Sequence, residues 1–249
     1  MTYRGSRKHI LDWVEQPRFL PELLELAAPV ECRISPTSRW MPVGYRSPDE
    51  ARLETFGPVV LPSSGWSDFS KWWLIHRDHA NTPNWDIALS CEIGGRPGLV
   101  LVEAKANCPE LSTKGKGVTS PSSEHSRQNH DRIGLAIAEA RAALEGRFPG
   151  IGISRDTHYQ LSNRIAFAWR LARMGIPTTI VYLGFTGDEG IRDVGEPFRD
   201  HAHWNNSLLE YCAGVSPTTM WEAPIDVDGT SFWLLSRSRP ILEQSPSAT

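Results

Sequence analysis

The sequence lacks any apolar run approaching the roughly 18 residues that a membrane-crossing helix needs. Met1 to Val14 carries Arg4, Arg7 and Lys8 and has no apolar centre of a secretory leader, so a cytoplasmic location is expected. Cysteine is sparse and unpaired in spacing. Cys32, Cys91, Cys108 and Cys212 form no CxxC motif, which argues against a zinc knuckle or a disulfide scaffold and for reduced, mostly buried thiols. There is no basic excess: 26 Lys+Arg stand against 29 Asp+Glu, a formal net charge of -3. A free-standing nucleic-acid binder usually carries such an excess. Internal repeats are also missing. What remains, 249 residues at 40% hydrophobic and 22% charged, is the composition of an ordinary globular domain, long enough to bury a core without staples.

Along the chain, residues 1–30 read as a helical lead-in, with Ile10, Leu11 and Val14 and then Phe19, Leu20, Leu23 and Leu24 as apolar stripes. Residues 29–47 read as loop. Ser47-Pro48 followed by Asp49 and Glu50 predicts a helix over 48–56, stopped by Gly57-Pro58. Residues 71–76 read as a short strand and 77–84 as a turn. Trp85 to Ile93 and Gly98 to Ala106 are strand-like runs around Gly94-Gly95-Arg96-Pro97, the pattern of a hairpin. Residues 107–123 read as a flexible basic loop. Helices are expected over 124–144 and 159–174, a strand over 178–185, a helix near 198–213 and a strand near 231–235. This is an α/β domain with a mixed β-sheet flanked by helices.

The hairpin carries the chemistry. With Ile93 placed opposite Gly98, side-chain alternation puts Ile87, Leu89, Cys91, Ile93, Val100, Val102 and Ala104 on one uniformly apolar face. The other face holds Asp86, Ala88 and Ser90 beside Leu101, Glu103 and Lys105. A one-residue slip would separate Asp86 from Glu103 and Lys105. Two carboxylates and an ammonium at one end of a sheet face suit a hard divalent cation, which takes oxygen ligands and keeps several waters. Asp86 and Glu103 would supply carboxylates for Mg²⁺ or Mn²⁺, and the Ala104 carbonyl a neutral oxygen. Lys105 would hold or deprotonate an attacking water, or stabilise charge developing on a phosphate.

Asp86, followed seventeen residues later by Glu103-Ala104-Lys105 across a strand-turn-strand, resembles the PD-(D/E)XK nuclease family. The resemblance implies a restriction endonuclease-like αβββαβ core, covering about residues 48–186, with N- and C-terminal additions at 1–47 and 187–249. The proline stands three residues before the aspartate, at Pro83, and an extra helix lies between the ExK strand and the core helix. The resemblance further implies a glutamate of the first core helix in the metal shell, for which Glu54 is preferred over Glu50. It also implies a glutamine on the helix after the ExK strand, matched by Gln160, with Arg164 one turn on. Glu54 has a bland alternative as a solvated helix residue, and Gln160 and Arg164 as flanks of a core helix.

The expected activity is Mg²⁺-dependent hydrolysis of a phosphodiester bond, most plainly in DNA and alternatively in RNA. A catalytically inactive nuclease-fold binding module, or an accessory subunit of a nucleic-acid-processing complex, is the rival. Lys114, Lys116 and Arg127 follow the hairpin as candidate phosphate contacts, with Arg164 beside them; Lys114 and Lys116 are read as an arm ordered on binding. The neutral total favours a homodimer or a partner protein. His76 and His79, and His201 and His203, lack zinc-type spacing and are set aside as metal ligands.

Overall fold

The computed structural model describes residues 3–77, 80–118 and 122–242. Helices α1 (Gly5–Val14) and α2 (Phe19–Ala27) lead into two short strands, β1 (Cys32–Arg33) and β2 (Trp40–Met41). Helix α3 (Ser63–Trp73) precedes the hairpin of β3 (Ile87–Ile93) and β4 (Arg96–Lys105). Two helices follow, α4 (Glu124–Glu145) and α5 (Tyr159–Arg173), and then β5 (Thr178–Thr186). The chain closes with α6 (His201–Cys212), β6 (Ile225–Val227) and β7 (Thr230–Pro240). No described helix is long and apolar enough to cross a membrane.

The seven strands form one mixed sheet in the order β1-β3-β4-β5-β7-β6, with β2 also on β3. β4 pairs antiparallel with β3 and parallel with β5, and β5 pairs parallel with β7. The central strands β4 and β5 are buried on both faces, which is why they read as near-continuous apolar runs. Helices α1 and α2 cover one face, where Trp13, Phe19 and Leu23 pack with Leu89, Val102, Leu183 and Phe185. Helices α3 to α6 cover the other, where Phe69, Trp73, Phe167 and Trp204 pack with Leu101, Ile180, Tyr182 and Leu234. The α/β class expected from the sequence is the class observed.

Several local expectations are corrected. The hairpin pairs Ile93 with Arg96 rather than with Gly98. Gly94 and Gly95, at φ 59° and 74°, form a two-residue loop of the type that needs two left-handed residues. A shift of two keeps side-chain parity, so the sorting into a dry face and a charged face survives. Residues 48–52 are not helical. Ala51 exchanges both backbone hydrogen bonds with Trp85 (3.0 and 2.9 Å), and only a 3₁₀ segment, Leu53–Val59, follows, broken at Gly57 and Pro58. The expected strand at 71–76 is instead the end of α3 and the turn after it. Trp66, Phe69, Ser70 and Trp73 are buried at three- and four-residue spacing, and that periodicity overrides the β-propensity of the Trp-Trp-Leu-Ile run. The loop 107–123 is not free along its length. His158 N–H and Tyr159 N–H donate to the Thr113 and Lys114 carbonyls, and Lys116 N–H donates to Arg155. Residues 119–121 of that loop, and His79, lie outside the described residues.

The N-terminal and C-terminal segments are built into this sheet and its cores, β7 as the neighbour of β5 and α1–α2 as the cover of the hairpin's dry face. Trp13 is fully buried there. Its replacement in Trp13→Ala should lower unfolding free energy by about 3–5 kcal/mol, read from urea melts. A loss below about 1 kcal/mol would mean that α1 contributes little to the fold.

Candidate active site

β3 begins at Ile87, one residue after Asp86, while its antiparallel partner β4 runs past that end to Lys105. Beyond that end Asp86 substitutes its side chain for the missing strand: Oδ2 accepts the Ala104 N–H at 2.8 Å. The N–H and C=O of a strand residue point to the same side, so the Ala104 carbonyl faces the same edge as Asp86. Glu103 and Lys105 stand on the face covered by α5.

Glu103 is almost wholly buried, at 1% exposure, and both its oxygens are occupied. Oε1 accepts from Lys105 Nζ at 2.5 Å and Gln160 Nε2 at 2.7 Å. Oε2 accepts from Arg164 Nε at 2.8 Å and its terminal nitrogen at 2.6 Å. Arg164 also donates to the Asn84 carbonyl at 2.6 Å, and its guanidinium lies 4.1 Å from the Trp85 ring centre. Burial alone would raise the Glu103 pKa, but the Lys105 and Arg164 charges outweigh it and hold the carboxyl below its ordinary value. Burial would likewise lower Lys105 and Arg164. Their carboxylate neighbours, Glu103 first, hold both above the ordinary values, so both stay cationic.

Asp86 differs. Loss of bulk water, and then repulsion from Glu103, push its pKa up to about 7, against the smaller opposing pull of Lys105. A cavity of about 340 Å³ opens over it, lined by Glu50, Asn84, Asp86, Glu103, Gln160 and Arg164 among others. Three carboxylates therefore face one small polar space with one arginine already committed to Glu103. That donor set, hard oxygens short of positive charge on the open side, fits a divalent cation.

The structure thus brings together Asp86, Glu103, Lys105, Gln160 and Arg164, with Lys105 reaching the centre through Glu103. Ala104 is at the centre by its backbone. Glu54 lies apart, accepting from Ser70 Oγ and Thr82 Oγ1 and pairing with Arg77 at 3.8 Å. Glu50 lines the cavity instead, accepting from Asn84 Nδ2 at 3.2 Å, with Arg7 of α1 3.9 Å away. The extended pairing of Ala51 with Trp85 carries Glu50, and not Glu54, to the cavity beside Asp86. Of the basic residues, Lys114 is exposed, and Arg127 is exposed and paired with Glu124. Lys116 lines a neighbouring cleft, and Arg164 is buried on Glu103 rather than free for a phosphate.

Sequence spacing passed over a second group. Cys108, Glu196 and His203 place three ligand-type atoms within 4.8 Å of one another and could hold a metal ion. They come from three separate segments, so no local motif marks them. His203 Nδ1 accepts the Arg199 N–H at 3.2 Å, which puts the neutral ring's proton on Nε2, the nitrogen of this group. Arg199 also pairs with Glu196 at 3.1 Å. The carboxylate cavity is therefore the better prepared of the two. Compared with known proteins, the chain matches no protein-family model, no curated protein and no solved structure.

Two outcomes follow from these electrostatics. Arg164→Ala leaves Glu103 with half its donors and should cost about 3–5 kcal/mol of stability in chemical denaturation, whereas a surface ion pair would cost under about 1 kcal/mol. The Asp86 pKa, raised in the folded state above its unfolded value, gives stability that is present below the unfolded pKa and lost as pH rises through about 7. With chelator present, the melting temperature of Asp86→Asn should therefore gain on the wild type by a few degrees between about pH 5 and pH 8. A constant difference across that range would place Asp86 at an ordinary carboxylate pKa.

Proposed function

We propose that this chain is a divalent-metal-dependent nuclease with a restriction endonuclease-like core, hydrolysing phosphodiester bonds in DNA. The observation that carries the reading is the convergence of Asp86, Glu103 and Glu50 on one cavity, with a buried lysine held against Glu103 from the same strand face. Asp86, Glu50 and the Ala104 carbonyl would hold Mg²⁺ or Mn²⁺; Glu103, whose oxygens already accept four hydrogen bonds, would join them by releasing one of those contacts. When bound there, the cation supplies Lewis acidity and a more acidic water.

The protein's own groups account for the rest. Lys105, kept cationic by Glu103 and Asp86, acts as a charge stabiliser for the phosphate and not as a general base. Gln160 orients the Glu103 carboxylate through its 2.7 Å hydrogen bond. Arg164 fixes the other oxygen and ties the centre to α5 and to the segment before β3. Asp86 and Glu50 retain carboxylate oxygens toward the cavity. The near-neutral total charge supports modest affinity for nucleic acid and a requirement for a second copy or a partner protein.

A second reading has its own support. All four donor contacts on Glu103 come from the protein, so the same cluster also serves as a structural lock for a binding module without turnover. Manganese titration by calorimetry, with cleavage of plasmid, linear and single-stranded DNA, separates the two. For the nuclease, Asp86→Ala loses both metal binding and cleavage. Lys105→Ala keeps the metal and loses about a hundred- to a thousandfold in rate, the scale of one preorganised charge-stabilising group. Absence of both metal binding and cleavage in the wild type would establish the binding module.

A further inference from the structure

Beside the carboxylate cavity lies a roomier cleft of about 680 Å³. The two spaces share Asn81 in their linings. They are also joined by chain continuity: Tyr159 of the cleft precedes Gln160 of the centre, and Pro83 of the cleft stands three residues before Asp86. Their chemistry is opposite. The carboxylate cavity gathers Glu50, Asp86 and Glu103, while no acidic side chain occurs among the described residues lining the cleft.

The cleft wall carries Lys116, His125 and His130. Lys116 is held in place from two sides. Its ammonium sits 5.0 Å from the Tyr159 ring centre, and its carbonyl contacts His130 Nε2 at 2.9 Å. His125 is braced by stacking on His76, with ring centroids 3.8 Å apart and 8° between planes. The floor, formed by Trp73, Leu74 and Ile133, is apolar and each residue there is no more than 3% exposed, while the more accessible Ala80, Pro83 and Val118 add apolar surface along the sides. Apolar lining beside the Lys116 ammonium, with no acidic side chain among the described lining residues, suits a ligand that is aromatic at one end and anionic at the other. The cleft volume falls within the roughly 300–1,000 Å³ range of small-ligand sites.

The geometry points to this cleft as a nucleotide subsite that takes one unstacked base of the substrate strand, with Lys116 and His125 on its phosphate. The assignment of the strand as substrate rests on the nuclease reading above. A base inside a duplex cannot reach a floor below the protein surface without leaving its stack, at a cost of about a few kcal/mol that a single strand largely avoids. The substrate class is therefore single-stranded DNA or a frayed end, and intact duplex is disfavoured. This separates two properties that the carboxylate centre alone leaves joined: the centre determines the bond hydrolysed, and the cleft determines the state of the strand.

The test measures binding without turnover. Fluorescence anisotropy in EDTA compares a labelled twelve-nucleotide thymidine strand with a blunt twelve-base-pair duplex. The wild type should bind the strand at least about tenfold more tightly, as expected where base stacking on a protein surface carries affinity. Ser126→Trp fills the cleft mouth from an exposed position of α4, and Lys116→Ala removes the cation. Each should weaken strand binding about tenfold and leave the melting curve in place. Equal affinity for strand and duplex, or wild-type strand binding by both variants, overturns the subsite. Cleavage assays with Mg²⁺ then divide the two ideas. Cleavage in the wild type with both variants neutral in strand binding keeps the nuclease and rejects the subsite. Strand-selective binding lost in both variants, with no cleavage by the wild type, keeps the subsite and rejects the nuclease.

Discussion

A carboxylate with almost no contact with water must be compensated locally, because removing an unpaired ion from water costs at least several kcal/mol. Glu103 is such a group, and the structure around it is arranged by that constraint. Its two oxygens accept four hydrogen bonds from Lys105, Gln160 and Arg164. These come from its own strand and from α5, so the ionic contacts pin the helix to the sheet at the end of the hairpin. Arg164 extends the tie by its bond to Asn84 and its stacking on Trp85. Trp85 in turn exchanges backbone hydrogen bonds with Ala51, which sets Glu50 at the cavity. One buried charge thereby organises four stretches of chain that are remote in sequence.

The same arrangement divides labour between the two carboxylates of the hairpin. Glu103 is saturated and stays ionised; Asp86 has a single backbone donor and a raised pKa. A pair of acids pushed apart in this way provides one fixed anion and one group ready to exchange a proton for a cation. The surrounding fold keeps the pair dry on one side and open on the other. The dry side is the α5 packing, where Leu161, Ile165 and Phe167 are fully buried. The open side is the cavity lined also by Glu50 and Asn84; Asn81 lines both it and the neighbouring cleft, whose described lining residues include no acid.

The hairpin's strands, its two faces and the grouping of Asp86 with Glu103 were legible because strand alternation is a local rule that survives a register shift of two. The central strands and the helices α4, α5 and α6 were legible for similar reasons, from apolar runs and helical periodicity. The segment from 48 to 76 is not legible in the sequence, since its local signals point the wrong way. Pro48 with two acids resembles a helix start, yet Ala51 is drawn into pairing with Trp85. Trp72-Trp73-Leu74 resembles a strand, yet the buried aromatics repeat with helical period. Which of Glu50 and Glu54 reaches the cavity depends on the backbone path of that segment and is not legible either.

The amino-acid sequence by itself determined the class of the fold, the hairpin, its dry face and the residue types of the carboxylate centre. Each of these follows from patterns within a few residues of one another. Only tertiary structure decided what those residues touch. Arg164, which reads as a flank of a helix, is buried on Glu103, and Lys116, which reads as part of a loose arm, is seated over Tyr159. Cys108, Glu196 and His203 meet although one long stretch of chain separates Cys108 from the other two, and Glu196 precedes α6 while His203 lies within it. Contacts of this kind depend on where whole helices and strands come to rest. That placement is set by burying the two faces of the sheet at once, a constraint on the entire chain that no short window of sequence contains.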